Sequence, residues 1–411
     1  MKHTLQNLWQ RWFGETQAEE HSVTPAPAKT LSTPPGSPIA HDATPVSEPA
    51  PQAAPDTIQP VAVSSAATEK SLAEPATPLK AELKTELKPE PIGQASKPLQ
   101  AWQPVFPIEK LFFDWSMGFS GNQQAAEQEQ AILQALYQLL ASDLSDAVVV
   151  PRVPSVIPQL LASLRDRKTS SAELVRQIVK DVVLVGEVIN TVNSVMYSPA
   201  DRINNLEKAV YLLGEEGLRL VIAKVTMHPI INLGGGHYTR RATPHLWAQA
   251  EKCALACHVL ARAGHPDGVS EIDPFQAFLT GLMKNVGMVV ALKVMDQHAE
   301  NQRVKYSASF QAVMNSITTT LCYRIAQRWN FPEAMCQALQ QQAFGRKQPE
   351  WTALGHLLHT ADLISKTRVL VNHQQLNPNE KALTYGLDEV ATACFHDLNH
   401  IPLFDPSGQT D

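Results

Sequence analysis

The chain has 411 residues, 44% of them hydrophobic and 18% charged, and 34 Lys and Arg stand against 40 Asp and Glu for a net charge of −6. That balance argues against a general binder of nucleic acid or of anionic membrane surfaces. The five cysteines, Cys253, Cys257, Cys322, Cys336 and Cys394, are odd in number and have no Cys-x-x-Cys spacing, which fits reduced thiols in a cytoplasmic protein rather than a disulfide framework.

In residues 1–13, Leu5, Leu8, Trp9, Trp12 and Phe13 share one helical face, opposite Gln6, Asn7, Gln10 and Arg11. The pattern predicts a short amphipathic helix that orders when its aromatic face is covered, either by its own domain, by a partner's groove or by weak peripheral contact with a membrane. Lys2, Arg11 and the α-amine are its only positive charges, which disfavours the membrane version. Residues 14–100 hold half of the 30 prolines, and no Phe, Tyr or Trp occurs between Phe13 and Trp102. Such a segment cannot bury enough apolar surface to offset its conformational entropy, so it is expected to be a disordered tether reaching about 50 Å. No run is expected to approach the apolar length of a membrane span, and the N-terminus lacks the apolar core of a signal peptide.

Aromatic residues return at Trp102, Phe106, Phe112, Phe113, Trp115 and Phe119, so residues 101–150 are read as lead-in helices, one of them from about Ala125 to Leu144. Pro151, Pro154 and Pro158 open the next helix, which runs to about Leu164. Ser170-Ser171-Ala172-Glu173 is a capping box that starts another. Asp181 caps a third, carrying Leu184, Val188 and Val192 inward and ending at Asn193-Ser194. A fourth runs from near Asn204 to Leu213-Gly214, with Gly214 as a left-handed cap, and Leu218–Val225 is a short fifth. Gly234-Gly235-Gly236 reads as a joint, because no strand precedes it and no Lys-Ser/Thr follows it to make a phosphate cradle. Long helices follow over about Pro244–Gly264, Phe275–Met295, Ser309–Phe331 and Trp351–Val371. Sustained two-residue alternation is absent, so the expected class is all-α, a multi-helix body preceded by a long disordered region. The divisions are 1–13, 14–100, 101–150, a domain over 151–345, C-terminal helices over 346–402 and a tail, 403–411.

Several of these marks occur together in one order and spacing: Pro151-x-x-Pro154, Asn193-Ser194-x-x-Tyr197, Ala209-Val210-x-x-Leu213-Gly214, Trp247, and Phe275-x-x-Phe278-x-x-Gly281-Leu282 leading to Gly287. From about Pro151 to Phe344 the chain resembles the bacterial HDOD family, non-catalytic relatives of the metal-dependent HD-domain phosphohydrolases. The resemblance implies a helical regulatory domain of signal transduction. In the frame of the active enzymes a first His would stand where this chain has Gln249, the central His-Asp pair where it has Lys284-Asn285, and a final acidic ligand at Asp362. A protonated Lys beside a divalent cation is repelled, and an Asn offers a neutral carbonyl where an anion is wanted. The expected site is therefore a degenerate one with no metal, no other cofactor and no catalytic residue. Gln249, Lys284, Asn285 and Asp362 would form a metal-free polar knot, in which Lys284 supplies the positive charge. His359 could pair with Asp362. His396-Asp397 is a literal His-Asp pair outside the matching frame. Cys253, Cys257 and His258 share a helix face but lack a second ligand pair, and so read as buried small side chains.

The leading functional expectation is a cytoplasmic scaffold that binds partner proteins or a small regulator, with residues 1–13 recruiting a second component by the tether. The alternatives are a residual phosphohydrolase or phosphodiesterase dependent on Asp362, and a module that binds a cyclic-dinucleotide second messenger through Arg240, Arg241 or Lys284.

Overall fold

The computed structural model describes residues 102–119, 127–144, 147–165, 175–176, 178–193, 202–264, 272–298, 306–344 and 351–400. The amphipathic segment 1–13, the tether 14–100, the capping box 170–173, Ser194, Tyr197 and the tail 403–411 lie outside the described residues. Among the described residues every regular element is helical. In order they are α1 (Ile108–Met117), α2 (Glu127–Ala141), α3 (Ile157–Arg165), α4 (Val182–Val192), α5 (Leu206–Ile231), α6 (His237–Arg262), α7 (Pro274–Met283), α8 (Val286–His298), α9 (Ala308–Arg328), α10 (Glu333–Phe344), α11 (Ala353–Asn372) and α12 (Glu389–Asp397).

Local chemistry sets many of the boundaries. Asp181, Asn205, Asp273, Ser307, Thr352 and Asp388 each accept a hydrogen bond from the backbone N–H three residues on, starting α4, α5, α7, α9, α11 and α12. At the end of α4, Asn193 donates to Ile189 O and to Ile203 O (2.6 Å) and accepts from Ile203 N (2.8 Å). One amide thus ties the end of α4 to Ile203, just ahead of α5, which gives a physical reason for Asn at this place. The start of α6 is capped from a distance: the Asp296 carboxylate at the end of α8 accepts from Tyr238 N, Thr239 N and the Thr239 hydroxyl. Gly236 permits this, since a Cβ there would lie 1.9 Å from Asp296 Cγ. Because of this cap α6 begins at His237, not near Pro244, and carries Pro244 inside it.

Helix α6 is the axis of the core. It packs against α7 and α11 most extensively, and also touches α1, α5, α8 and α12. Trp247, Ala250, Cys253, Ala254 and Cys257 of α6 are buried, as are all five cysteines. The lead-in helix α2 docks on α8 and α9 through a buried acid, Glu129, whose carboxylate receives Ser307 N and the Ser307 hydroxyl (2.8 Å) at the cap of α9. At the other end, Lys252 of α6 donates to Leu398 O, and Arg368 of α11 donates to Phe395 O while lying over the Phe395 ring.

Several further expectations are corrected. Gly214 does interrupt a helix, but with φ 65° and ψ −179° it is extended rather than a left-handed cap, a region essentially open to glycine alone. The helical path resumes at once and continues through Pro229 to Ile231, so the short fifth helix is longer than its apolar stripe suggested. Residues 275–295 are two helices, broken at Lys284-Asn285. Finally, Pro274–His298 is long and apolar enough to cross a membrane by length and composition, with an 18-residue window of mean hydropathy 1.4, yet 83% of that window is buried within the fold. Helix α10 was not foreseen as a separate element.

Two glycines bracket the break. A Cβ on Gly281 would stand 2.6 Å from Ala254 Cα, and one on Gly287 1.9 Å from Thr318 O. The backbones of α7 and α6, and of α8 and α9, therefore approach more closely than any side chain allows. This is what carries the intervening Lys284-Asn285 turn into the centre of the body.

Candidate functional site

The Lys284-Asn285 turn meets α6 and α11 in a buried polar network. Asn285 donates through Nδ2 to Leu246 O (2.8 Å) and to Gln249 Oε1 (2.5 Å). Gln249, fully buried, donates in turn through Nε2 to Asp362 Oδ1 (2.9 Å) and to the Ser365 hydroxyl (2.8 Å). Ser365 closes the loop by donating to the Asp362 main-chain oxygen (2.9 Å). The other carboxylate oxygen of Asp362 faces two ammonium groups, Lys366 Nζ at 2.7 Å and Lys284 Nζ at 3.5 Å. The four residues singled out in the sequence, Gln249, Lys284, Asn285 and Asp362, are thus in one place, on α6, at the α7–α8 break and on α11.

Electrostatics makes the cluster coherent. Burial alone would push the Asp362 carboxyl up, but Lys284 and Lys366 outweigh it and hold it at about 2. Burial likewise pulls the Lys284 ammonium down, and the Asp362 carboxylate more than compensates, so its pKa is raised. Beside it, burial pushes the Cys322 thiol up to about 12, and its S–H donates to Met283 O (2.8 Å). At neutral pH the cluster holds one carboxylate, two ammonium groups and a thiol.

Lys366 and Ser365 are the members that the sequence reading missed. They lie four and three residues after Asp362 on α11, the spacing that puts side chains on one helix face, so helical periodicity could have found them. His359 is near Asp362 but not hydrogen-bonded to it among the described residues: burial lowers its pKa against the opposing pull of the Asp362 carboxylate, and its ring stands edge-on to Trp351 at 5.1 Å. His396 and Asp397 sit at the end of α12, the His396 ring against Phe395. His258 is buried beside Glu216 (3.5 Å), and burial lowers it to about 4. Arg240 is exposed and reaches Gly235 O, Arg241 lies over Gly118, and Lys284 is engaged with Asp362.

The donor set also bears on a metal. A divalent cation at Asp362 would meet two ammonium groups within 3.5 Å of the carboxylate and, at the remaining positions, a Gln and an Asn already turned toward each other. These residues do not fit a hydrolytic cation. Among the described residues no group of three or more His, Cys, Asp or Glu could hold a metal ion.

Residues 150–343 match the family model of the HDOD domain. An uncharacterised protein of Treponema pallidum is 22% identical over 211 residues, 49% of this chain and 39% of its own, so the chain spans about two fifths of that relative. Among solved structures, an HDOD domain protein of unknown function from Geobacter sulfurreducens is similar with TM-score 0.47 at 17% identity, covering 66% of this chain and 89% of its own. A Shewanella amazonensis protein provisionally named a metal-dependent phosphohydrolase is similar with TM-score 0.47 at 15% identity, covering 67% of this chain and 99% of its own.

Proposed function

We propose, on the premise that residues 150–343 are an HDOD domain, that the chain is a non-catalytic regulatory scaffold of cytoplasmic signal transduction. In this reading the helical body binds a partner protein or a small regulator. Residues 1–13 recruit a second component through Leu5, Leu8, Trp9, Trp12 and Phe13, and the tether keeps the two at high effective concentration. The observation that supports it is the state of Asp362. Both of its oxygens are taken by groups of the chain itself, and Lys284 and Lys366 supply internally the charge that a cation would otherwise bring.

Two measurements test the reading. Purified protein is incubated with Mn, Mg or Zn and bis(4-nitrophenyl) phosphate; the expected result is no turnover above background and less than stoichiometric retained metal. Turnover that falls with Asp362→Ala would overturn the non-catalytic assignment. Partner sets captured from native cells by the full chain and by a chain lacking residues 1–13 are expected to differ, and identical sets would remove the recruitment role.

A further inference from the structure

A cavity of about 330 Å³ opens between the approach to α3, the first turns of α4 and the last turns of α5. The residues that line it are separate from those of the Asp362 network. That volume is within the range of small-molecule sites. Its walls are Pro154, Val156, Val183, Leu184, Pro229 and Ile230. At its rim the apolar side chain of Val183, in the first turn of α4, is 75% accessible.

The polar groups set into this apolar lining define the ligand. Thr226 lines the cavity, is only 8% accessible, and its hydroxyl has no hydrogen-bond partner. A threonine inside a helix ordinarily donates back to the carbonyl four residues earlier; this one is left for a group that enters the pocket. Asp181 and Glu187 bring carboxylates to the lining. One Asp181 oxygen caps Leu184 N. His228 is bonded to Asn232 (3.2 Å) and is neutral at physiological pH, because burial pulls it to about 4. The lining therefore carries two negative charges and no positive one, which disfavours phosphates and carboxylates.

We propose that this pocket binds a small organic cation, an aromatic or aliphatic body bearing a protonated amine, with the body between Val156, Val183 and Ile230, the ammonium on Glu187 and Asp181, and the Thr226 hydroxyl as a further polar contact. Such a molecule satisfies the orphaned hydroxyl, covers the exposed Val183 side chain and neutralises the lining at once. The site stands independently of the scaffold reading, since it uses none of the Asp362 network and none of residues 1–13.

The test is calorimetric titration of the full chain at neutral pH with three matched probes: 4-phenylbutylammonium, 4-phenylbutanol and 4-phenylbutyrate. The ammonium is expected to bind, and the carboxylate to bind at least roughly tenfold more weakly. Glu187→Gln is expected to weaken the ammonium about tenfold, as loss of a charged hydrogen bond does, and to leave the alcohol unchanged. Ser155→Glu, at an exposed position of the lining that makes none of the proposed contacts, is expected to tighten the ammonium, which keeps the test decisive if Glu187→Gln perturbs folding. No heat with the ammonium up to millimolar concentration, equal affinity for all three probes, or indifference of the ammonium to both variants would overturn the proposal.

Discussion

The carboxylate of Asp362 gives the sharpest quantitative test, by replacing Lys366 or Lys284 with Met. Holding a fully buried carboxyl at about 2 instead of 3.8 stabilises the folded state by roughly 2 kcal/mol at neutral pH. Lys366 is the nearer ammonium, at 2.7 Å against 3.5 Å for Lys284. Lys284→Met therefore does not leave Asp362 unpaired, and each single replacement is expected to cost about 1–3 kcal/mol, less than the roughly 3–5 typical when a buried pair loses one partner outright. Replacing both leaves the carboxylate only Gln249, and the protein escapes by protonating it. Keeping a carboxyl neutral at pH 7 against an unfolded value of 3.8 costs roughly 4 kcal/mol, which bounds the added penalty. The sign with pH follows: a depressed carboxyl contributes stability that is present above about pH 4 and is lost as pH falls through about 2. Urea unfolding of wild type and both variants between pH 7 and pH 3 should therefore show gaps that shrink as the solution is acidified. Adding Asp362→Asn to the double variant should recover part of its loss. Gaps below about 0.5 kcal/mol, or gaps independent of pH, would refute the electrostatic account.

Three further outcomes are expected. Gly287→Ala should destabilise by about 3 kcal/mol or prevent folding, because its Cβ would fall 1.9 Å from Thr318 O; Gly186→Ala, inside α4 with nothing within 4 Å, should instead stabilise by up to about 1 kcal/mol, both read by thermal melting. Asn193→Ala removes the amide that holds Ile189 and Ile203 and should cost about 1–3 kcal/mol; hydrogen exchange at Ile203 N–H should rise by the corresponding factor. Glu129→Ala should loosen α2 from the α9 cap, seen as faster exchange at Ser307 and Phe310 amides, while helix content by circular dichroism changes little.

The break at Lys284-Asn285 shows why one element was misread. Apolar periodicity runs unbroken from Phe275 to Met295, so the sequence reads as one helix; the turn exists because Gly281 and Gly287 each press onto a neighbouring backbone that lies elsewhere in the chain. The start of α6 was misplaced for a similar reason. Its cap is Asp296, 57 residues beyond Thr239, and a search for a local capping residue does not reach that far. Where the cap was local, as at Asp181, the start was legible. The spacing of Lys366 from Asp362 is visible in the sequence, but an i,i+4 Lys–Asp pair is ordinarily a solvated surface pair, and no local feature shows that this one is buried.

The sequence by itself determined the all-α class, several of the helix starts, and the chemical identities at four positions, because helical period, capping and side-chain charge are local properties. Only the tertiary structure decided that Gln249, Lys284, Asn285 and Asp362 share hydrogen bonds, that Lys366 completes them, and that α3, α4 and α5 enclose a negatively lined pocket. Those facts depend on which backbones can touch, and contact between residues more than a hundred positions apart is set by the packing of the whole core.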